Sequence, residues 1–189
     1  MIICNEIIDL TELRNWTLLA FGTIGAFITI RTYISSTRQR KIDNTFKTLD
    51  FLRRHIGENQ IKTFVELFHA NNELNGVEYN EFSLKDGRTD TIEDMFSEGG
   101  CGNGDIHNIL ELFNLISPTL KNLESNIIWY EYGQIMYKIY QWTKYLEDVK
   151  DVEHSPEKYK AFYSNFNSYM EKNSDKMLFM PTKYYTYAE

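Results

Sequence analysis

The sequence predicts an all-α protein: one N-terminal transmembrane helix continuing into a cytoplasmic bundle of about five helices. Three observations carry that expectation. Only three Pro occur in 189 residues while a quarter of the side chains are charged, a composition that favours helices over a turn-rich β domain. Residues 16–30 run fifteen positions without a charge. C-terminal to them, apolar residues recur three or four apart, the period of one helix face.

The apolar run is short for a span, which needs about 20 residues to cross roughly 30 Å of hydrocarbon. Thr32, Tyr33 and Ile34 extend it to nineteen residues, 16–34, and Arg31 can snorkel toward headgroups. Trp16 and Tyr33 stand where an aromatic belt belongs. A core helix shows polar residues every few positions. Between Leu18 and Ile30 the only polar side chains are Thr23 and Thr29, whose hydroxyls can bond back to the helix. A cleaved leader does not fit, because Glu6, Asp9 and Glu12 precede the run and basic residues follow it. Residues 1–15 are therefore expected to be a short extracytoplasmic N-terminus and 16–34 the span. Residues 35–172 are then a helical cytoplasmic domain and 173–189 a tail. Gly22 and Ala26, with Gly25 on a neighbouring face, form a small-xxx-small pattern through which helices pack in lipid.

Charge is uneven. The chain carries −7 overall, yet residues 31–54 hold seven Lys/Arg against Asp43 and Asp50, a local +5. Bulk nucleic-acid binding is not expected of so acidic a protein. A basic collar beside an apolar helix suits anionic headgroups, and Arg38, Arg40, Lys41, Arg53 and Arg54 are the candidates for contact with lipid phosphate or another anionic ligand. Arg38, Arg40 and Lys41 equally serve as a positive-inside signal, which places the N-terminus outside the inner membrane and the rest in the cytoplasm.

After the span, Ile42, Phe46, Leu49, Phe51, Leu52 and Ile56 continue the helical period, and Gly57 is a candidate stop. A second helix is expected from Asn59 to Asn75-Gly76, with Ile61, Phe64, Val65 and Phe68 on one face. In the irregular stretch that follows, a turn falls at Asp86-Gly87, and residues 91–97 are expected to make one or two helical turns. GGCGNG, residues 99–104, reads as a flexible connector or a close-approach loop. Asp105 is the expected cap of a helix with stripe Ile106, Ile109, Leu110, Phe113 and Ile116, ending before Pro118. The strongest later helix covers residues 126–149, with stripe Ile128, Tyr132, Ile135, Met136, Ile139, Trp142 and Leu146. Ser155-Pro156 should open the last helix, with Tyr159, Phe162, Tyr163, Phe166 and Tyr169 as its aromatic face. From Ser174 no period is visible. The surplus aromatics Trp129, Tyr130, Tyr137, Tyr140 and Tyr145 exceed one stripe and suit a subunit interface.

No catalytic, cofactor or metal site is expected. Glu66 and His69 make an ExxH, but a di-iron bundle needs a second copy and two further Glu; His107 and Glu111 share a helix face and could complete a mixed site, but a surface or structural pair is the expectation. GGCGNG lacks the Lys-Ser/Thr of a phosphate loop, and residues 86–94 lack EF-hand spacing. No Arg is followed four to six residues later by His, against a helical RNase of the HEPN type. The cysteines, Cys4 and Cys101, form neither a disulfide framework nor a CxxC, and Cys101 has no neighbouring base.

At NILELFNLIS followed by NIIWYEYGQIMYKIYQWTKYLEDV, the chain resembles an uncharacterised bacterial family of single-pass membrane proteins with a helical cytoplasmic domain of unknown function. Residues 108–113 correspond to its NILELF-type helix and residues 128–146 to its Tyr/Trp-rich helix. The likeness spans residues 42–172, with GGCGNG and the tyrosine-rich tail as departures. The resemblance implies no catalytic residues. The architecture is also similar to the membrane effectors of bacterial antiphage systems, including those triggered by CRISPR signalling through cyclic oligoadenylates. The expected function is thus a non-enzymatic, membrane-anchored homo-oligomer that responds to a nucleotide signal or a cytoplasmic protein partner. A passive membrane-tethered scaffold and a soluble helical interaction domain are the alternatives.

Overall fold

The structure, a computed structural model, describes residues 10–72, 81–84, 86–148 and 163–178. Among these are five helices and one two-stranded hairpin: α1 (Leu10–His55), α2 (Glu58–Asn72), β1 (Glu81–Ser83), β2 (Thr89–Thr91), α3 (Asp105–Leu120), α4 (Ser125–Asp148) and α5 (Ser164–Leu178). The all-α expectation holds. The expected Asn75-Gly76 stop, the Ser155-Pro156 start with Tyr159 and Phe162, and Cys4 lie outside the described residues. The chain divides into two compact units, Met1–Asp43 and Asn44–Glu189, at a boundary inside α1.

In the first unit, the described residues are helical from Leu10 onward. Thr17, Thr23 and Thr29 donate their hydroxyls to the carbonyls of Leu13, Ala20 and Gly25 at 2.7, 2.9 and 2.8 Å. The polar groups of an otherwise apolar surface are thereby satisfied within the helix itself, as a lipid environment requires.

The second unit is a helical core. Leu49, Leu52 and Ile56 enter it from the end of α1, Phe64 and Leu67 from α2, and the whole expected stripes of α3 and α4 are buried. Phe166 stacks on Phe113 at 5.9 Å, while Phe64 meets Trp142 at 5.8 Å. α3 packs mainly on α5 and α2, and α4 on α5 and α3. Gly57 separates α1 from α2, its amide donating to Gln60 Oε1 at 2.8 Å, half of a capping box. Phe46, expected on the core stripe, is 53% exposed instead.

Five local expectations are corrected. β1 and β2 form an antiparallel hairpin in the stretch expected to be irregular, with Phe82 opposite Asp90; the expected turn at Asp86-Gly87 is present, with Gly87 at φ 84° and Asp86 accepting from the Arg88 amide and guanidinium. Residues 92–97 are turns, not helix, held by the Asp94 carboxylate accepting from both the amide and the hydroxyl of Thr91. α3 begins after Gly104, whose φ of 74° makes it the cap, while Asp105 accepts from the Thr63 hydroxyl at 2.7 Å. It also runs through Pro118 to Leu120. Pro118 lacks only the N–H aimed at Asn114, and the Ser117 and Thr119 hydroxyls bond back to Phe113 and Ile116 at 2.6 and 2.7 Å. α5 extends to Leu178, past the expected start of the tail.

The GGCGNG segment is a close-approach loop. A Cβ on Gly100 would fall on the Asp94 carbonyl, and one on Gly102 on the Met95 carbonyl. Only glycine lets this loop lie on the preceding turn, where Gly104 donates to the Ser97 carbonyl at 3.1 Å.

Candidate functional site

Residues 16–34 of α1 are exposed throughout. Trp16, Phe21, Phe27 and Tyr33 are 68, 74, 65 and 73% exposed. The most apolar window of α1 has mean hydropathy 1.4 and none of it is buried. α1 is thus long and apolar enough to cross a membrane, and its apolar window, unlike its end at Leu49 and Leu52, is not buried. Gly22, Gly25 and Ala26 are exposed, and a Cβ on either glycine would meet nothing within 4 Å.

The basic candidates fall in both units. Arg38 and Arg40 are exposed and Lys41 half-buried in the first. In the second, Arg53 is committed to a protein partner: its Nε and Nη2 donate to Glu131 Oε1 and Oε2 at 2.7 and 2.6 Å. The Glu131 side chain is only 9% exposed, and this fork is the main reason the Arg53 guanidinium holds its proton even more firmly than usual. Arg54 pairs with Asp50 one turn back at 2.6 Å, on an exposed surface, where such pairs contribute little. Arg53 therefore acts first as a clasp between α1 and α4. Nothing in the sequence flagged Glu131, which stands 78 positions away.

Glu66 is exposed and His69 half-buried. Among the described residues no three His, Cys, Asp or Glu side chains gather within reach of one metal ion. Burial, then the nearby carboxylates of Asp90 and Asp94, pushes the half-buried Cys101 thiol up to about 12, so its nucleophilic thiolate is scarce at neutral pH. Of the surplus aromatics of α4, Trp129 is buried and donates to Tyr169 Oη at 2.9 Å. Tyr137, Tyr140 and Tyr145 are half-buried against the core, and only Tyr130, at 53%, stands exposed. α4 is thus covered on several faces by its own chain, and of the rings expected at an interface Tyr130 is the most open.

A cleft of about 790 Å³ opens in the second unit, lined by residues from the end of α1, the first turn of α2, one face of α3 and the start of α5. Asn108, Glu111, Leu112, Leu115 and Pro118 line it from α3; His55, Gln60, Tyr163 and Asn165 come from the other elements. The Tyr163 ring is buried. A chain of hydrogen bonds backs this wall: His107 Nδ1 lies 2.8 Å from Tyr163 Oη, and His107 Nε2 lies 3.2 Å from Glu111 Oε1. The tautomer that donates Nε2–H to the carboxylate leaves Nδ1 to accept from the tyrosine hydroxyl. The expected structural pair of His107 and Glu111 is thus present, with a third member that sequence spacing did not reveal. The α3 lining was legible as a second face at positions i, i+3, i+4 and i+7. The convergence of residues 55, 60, 163 and 165 on it was not.

No family model, curated protein or solved structure matches this chain.

Proposed function

We propose that the protein is a membrane-anchored, non-enzymatic reception protein. Residues 16–34 cross the inner membrane, and the second unit, in the cytoplasm, binds a partner or signal whose arrival is passed to the anchors. The observation that carries this reading is the unbroken exposure of the apolar surface from Trp16 to Ile34. So large a patch on a soluble chain would drive aggregation, whereas lipid satisfies it. The positive-inside bias of Arg31, Arg38, Arg40 and Lys41 sets the direction, and Arg38 and Arg40 stand ready for headgroup phosphates. Assembly as a homo-oligomer through Gly22, Gly25 and Ala26 gives the anchors a means to act together on the membrane, in the manner of an antiphage effector.

Flotation of the full chain with vesicles of phosphatidylcholine and phosphatidylglycerol tests the anchorage. Co-migration that survives alkaline carbonate and high salt is expected. A monodisperse protein left in the soluble fraction overturns it.

The scaffold reading draws on a different observation, the open cleft of the second unit. Replacing residues 16–34 with an unrelated single-pass helix separates the two. A scaffold keeps recruiting its partner after the exchange, and an effector loses its action on the membrane.

A further inference from the structure

We infer that the cleft of the second unit is a docking site for a peptide segment of a partner protein, one that carries a basic side chain next to aliphatic ones. This names the partner chemistry of the reception role proposed above and rests on that reading only for the second unit.

The lining decides the class of occupant. Glu111 is the single formally charged side chain among the lining residues at neutral histidine, and no Lys or Arg contributes. A phosphate-bearing ligand would meet the Glu111 carboxylate with no Lys or Arg to offset it, while an Arg or Lys side chain finds its counter-ion. Glu111 is 62% exposed, and its contact with His107 at 3.2 Å engages one of its two oxygens, leaving the other to accept from a guanidinium or amine.

Beside the carboxylate, Leu112, Leu115 and Pro118 continue the same face of α3. Leu115 is 65% exposed, although it sits in a bundle whose other α3 leucines and isoleucines are covered. Small-molecule pockets bury some 70–90% of their ligand, and a wall that leaves a leucine this open does not. A chain segment that brings its own cover does fit. The polar rim agrees: Gln60, Asn108 and Asn165 carry amide groups, each a donor and an acceptor, which match the N–H and C=O of a peptide backbone. Gln60 Oε1 is already taken by the Gly57 amide, so its –NH₂ is what it offers to an incoming carbonyl.

The test uses the full chain in nanodiscs of neutral phosphatidylcholine, with empty discs subtracted. Three fluorescent ten-residue peptides serve as probes: one alternating Arg and Leu, one alternating Glu and Leu, one alternating Arg and Ser. The Arg/Leu peptide should bind best, with the others at least tenfold weaker. E111Q keeps a side chain that can still accept from His107, and it should weaken that peptide about fivefold, the upper range for a solvated ion pair. L115S should weaken it about tenfold, by loss of one buried leucine. Unchanged thermal melting of both variants shows that the fold is intact. Equal binding of the three peptides, or binding unaffected by E111Q and L115S, overturns the inference. So does displacement of the Arg/Leu peptide by ATP, which would mark an anion site, or a change of oligomer mass in L115S, which would mark self-contact. Failure of any of these leaves the flotation result standing, so the two readings are judged separately.

Discussion

Residues 16–34 of α1 and the helix α4 draw on the same side chains, chiefly Ile, Phe or Tyr, Trp and Thr, and end in opposite surroundings. Every described residue of the first is exposed; α4 buries Ile128, Tyr132, Ile135, Met136, Ile139, Trp142 and Leu146. The difference lies in what stands between the apolar residues. α4 interrupts them with Glu131, which gives Arg53 its partner, Lys138, which lies over two rings, and Lys144, which faces solvent. Residues 18–30 carry no charged side chain, and every one of them is exposed. Apolar content alone does not choose between lipid and core; the spacing of the polar residues does.

The sharpest way to break that contrast is to put charges into both helices. I24K combined with F27K places two lysines near the centre of the proposed span, at about 2.5–3.5 kcal/mol each. Vesicle flotation should be lost, with the denaturation midpoint of the second unit unchanged. I135K should do the reverse: an unpaired charge among fully buried side chains unfolds the second unit while flotation persists. If the anchor double variant also lowers the midpoint, residues 16–34 belong to a core after all and the contrast fails.

How much of this was legible follows from the same reasoning. The stripes of α3 and α4 could be read because each helix buries one set of positions three and four apart, a pattern that a one-dimensional sequence preserves. The hairpin could not, since two three-residue strands are too short to show alternation and only Phe82 points inward with conviction, at 3% exposure. The Arg53–Glu131 clasp and the cleft join residues separated by 78 and by more than 100 positions, and nothing local marks such meetings. Pro118 misled because its effect on a helix depends on which N–H it removes. Here the loss falls in the last turn, where nearby hydroxyls close the carbonyls on either side.

A milder intervention compares glycines. Gly102 lies against the Met95 carbonyl, so G102A forces backbone against backbone and should cost the second unit about 3 kcal/mol, at the high end for overpacking. Chemical denaturation followed by circular dichroism reads it. G22A meets open space in the isolated helix and should leave that midpoint alone, or raise helicity slightly, since Ala is the better helix former by about 0.5–1 kcal/mol. Equal destabilisation by the two would mean that the anchor, too, is tightly packed within one chain.

The smallest effect concerns the one lysine α4 takes inside. Lys138 is 4% exposed, its Nζ 5.8 Å from the ring centroids of both Phe68 and Trp142. Those faces attract the cation, but burial disfavours its charged form and lowers its pKa below the ordinary 10.5. Between the lowered value and 10.5 the unfolded chain therefore binds more protons than the folded one. Stability contributed by this site rises with pH across that window and levels off above it. K138M fills nearly the same volume without a charge, and at neutral pH it should change stability by less than about 1.5 kcal/mol. Its signature is the slope: urea midpoints of the parent and the variant, taken from neutral pH up to 10.5, should converge or cross because only the parent gains at this site. Because every other titrating group is common to both proteins, the difference isolates Lys138. Parallel curves would mean that the ammonium keeps its solvation, and that α4 differs from the anchor segment by less than its burial suggests.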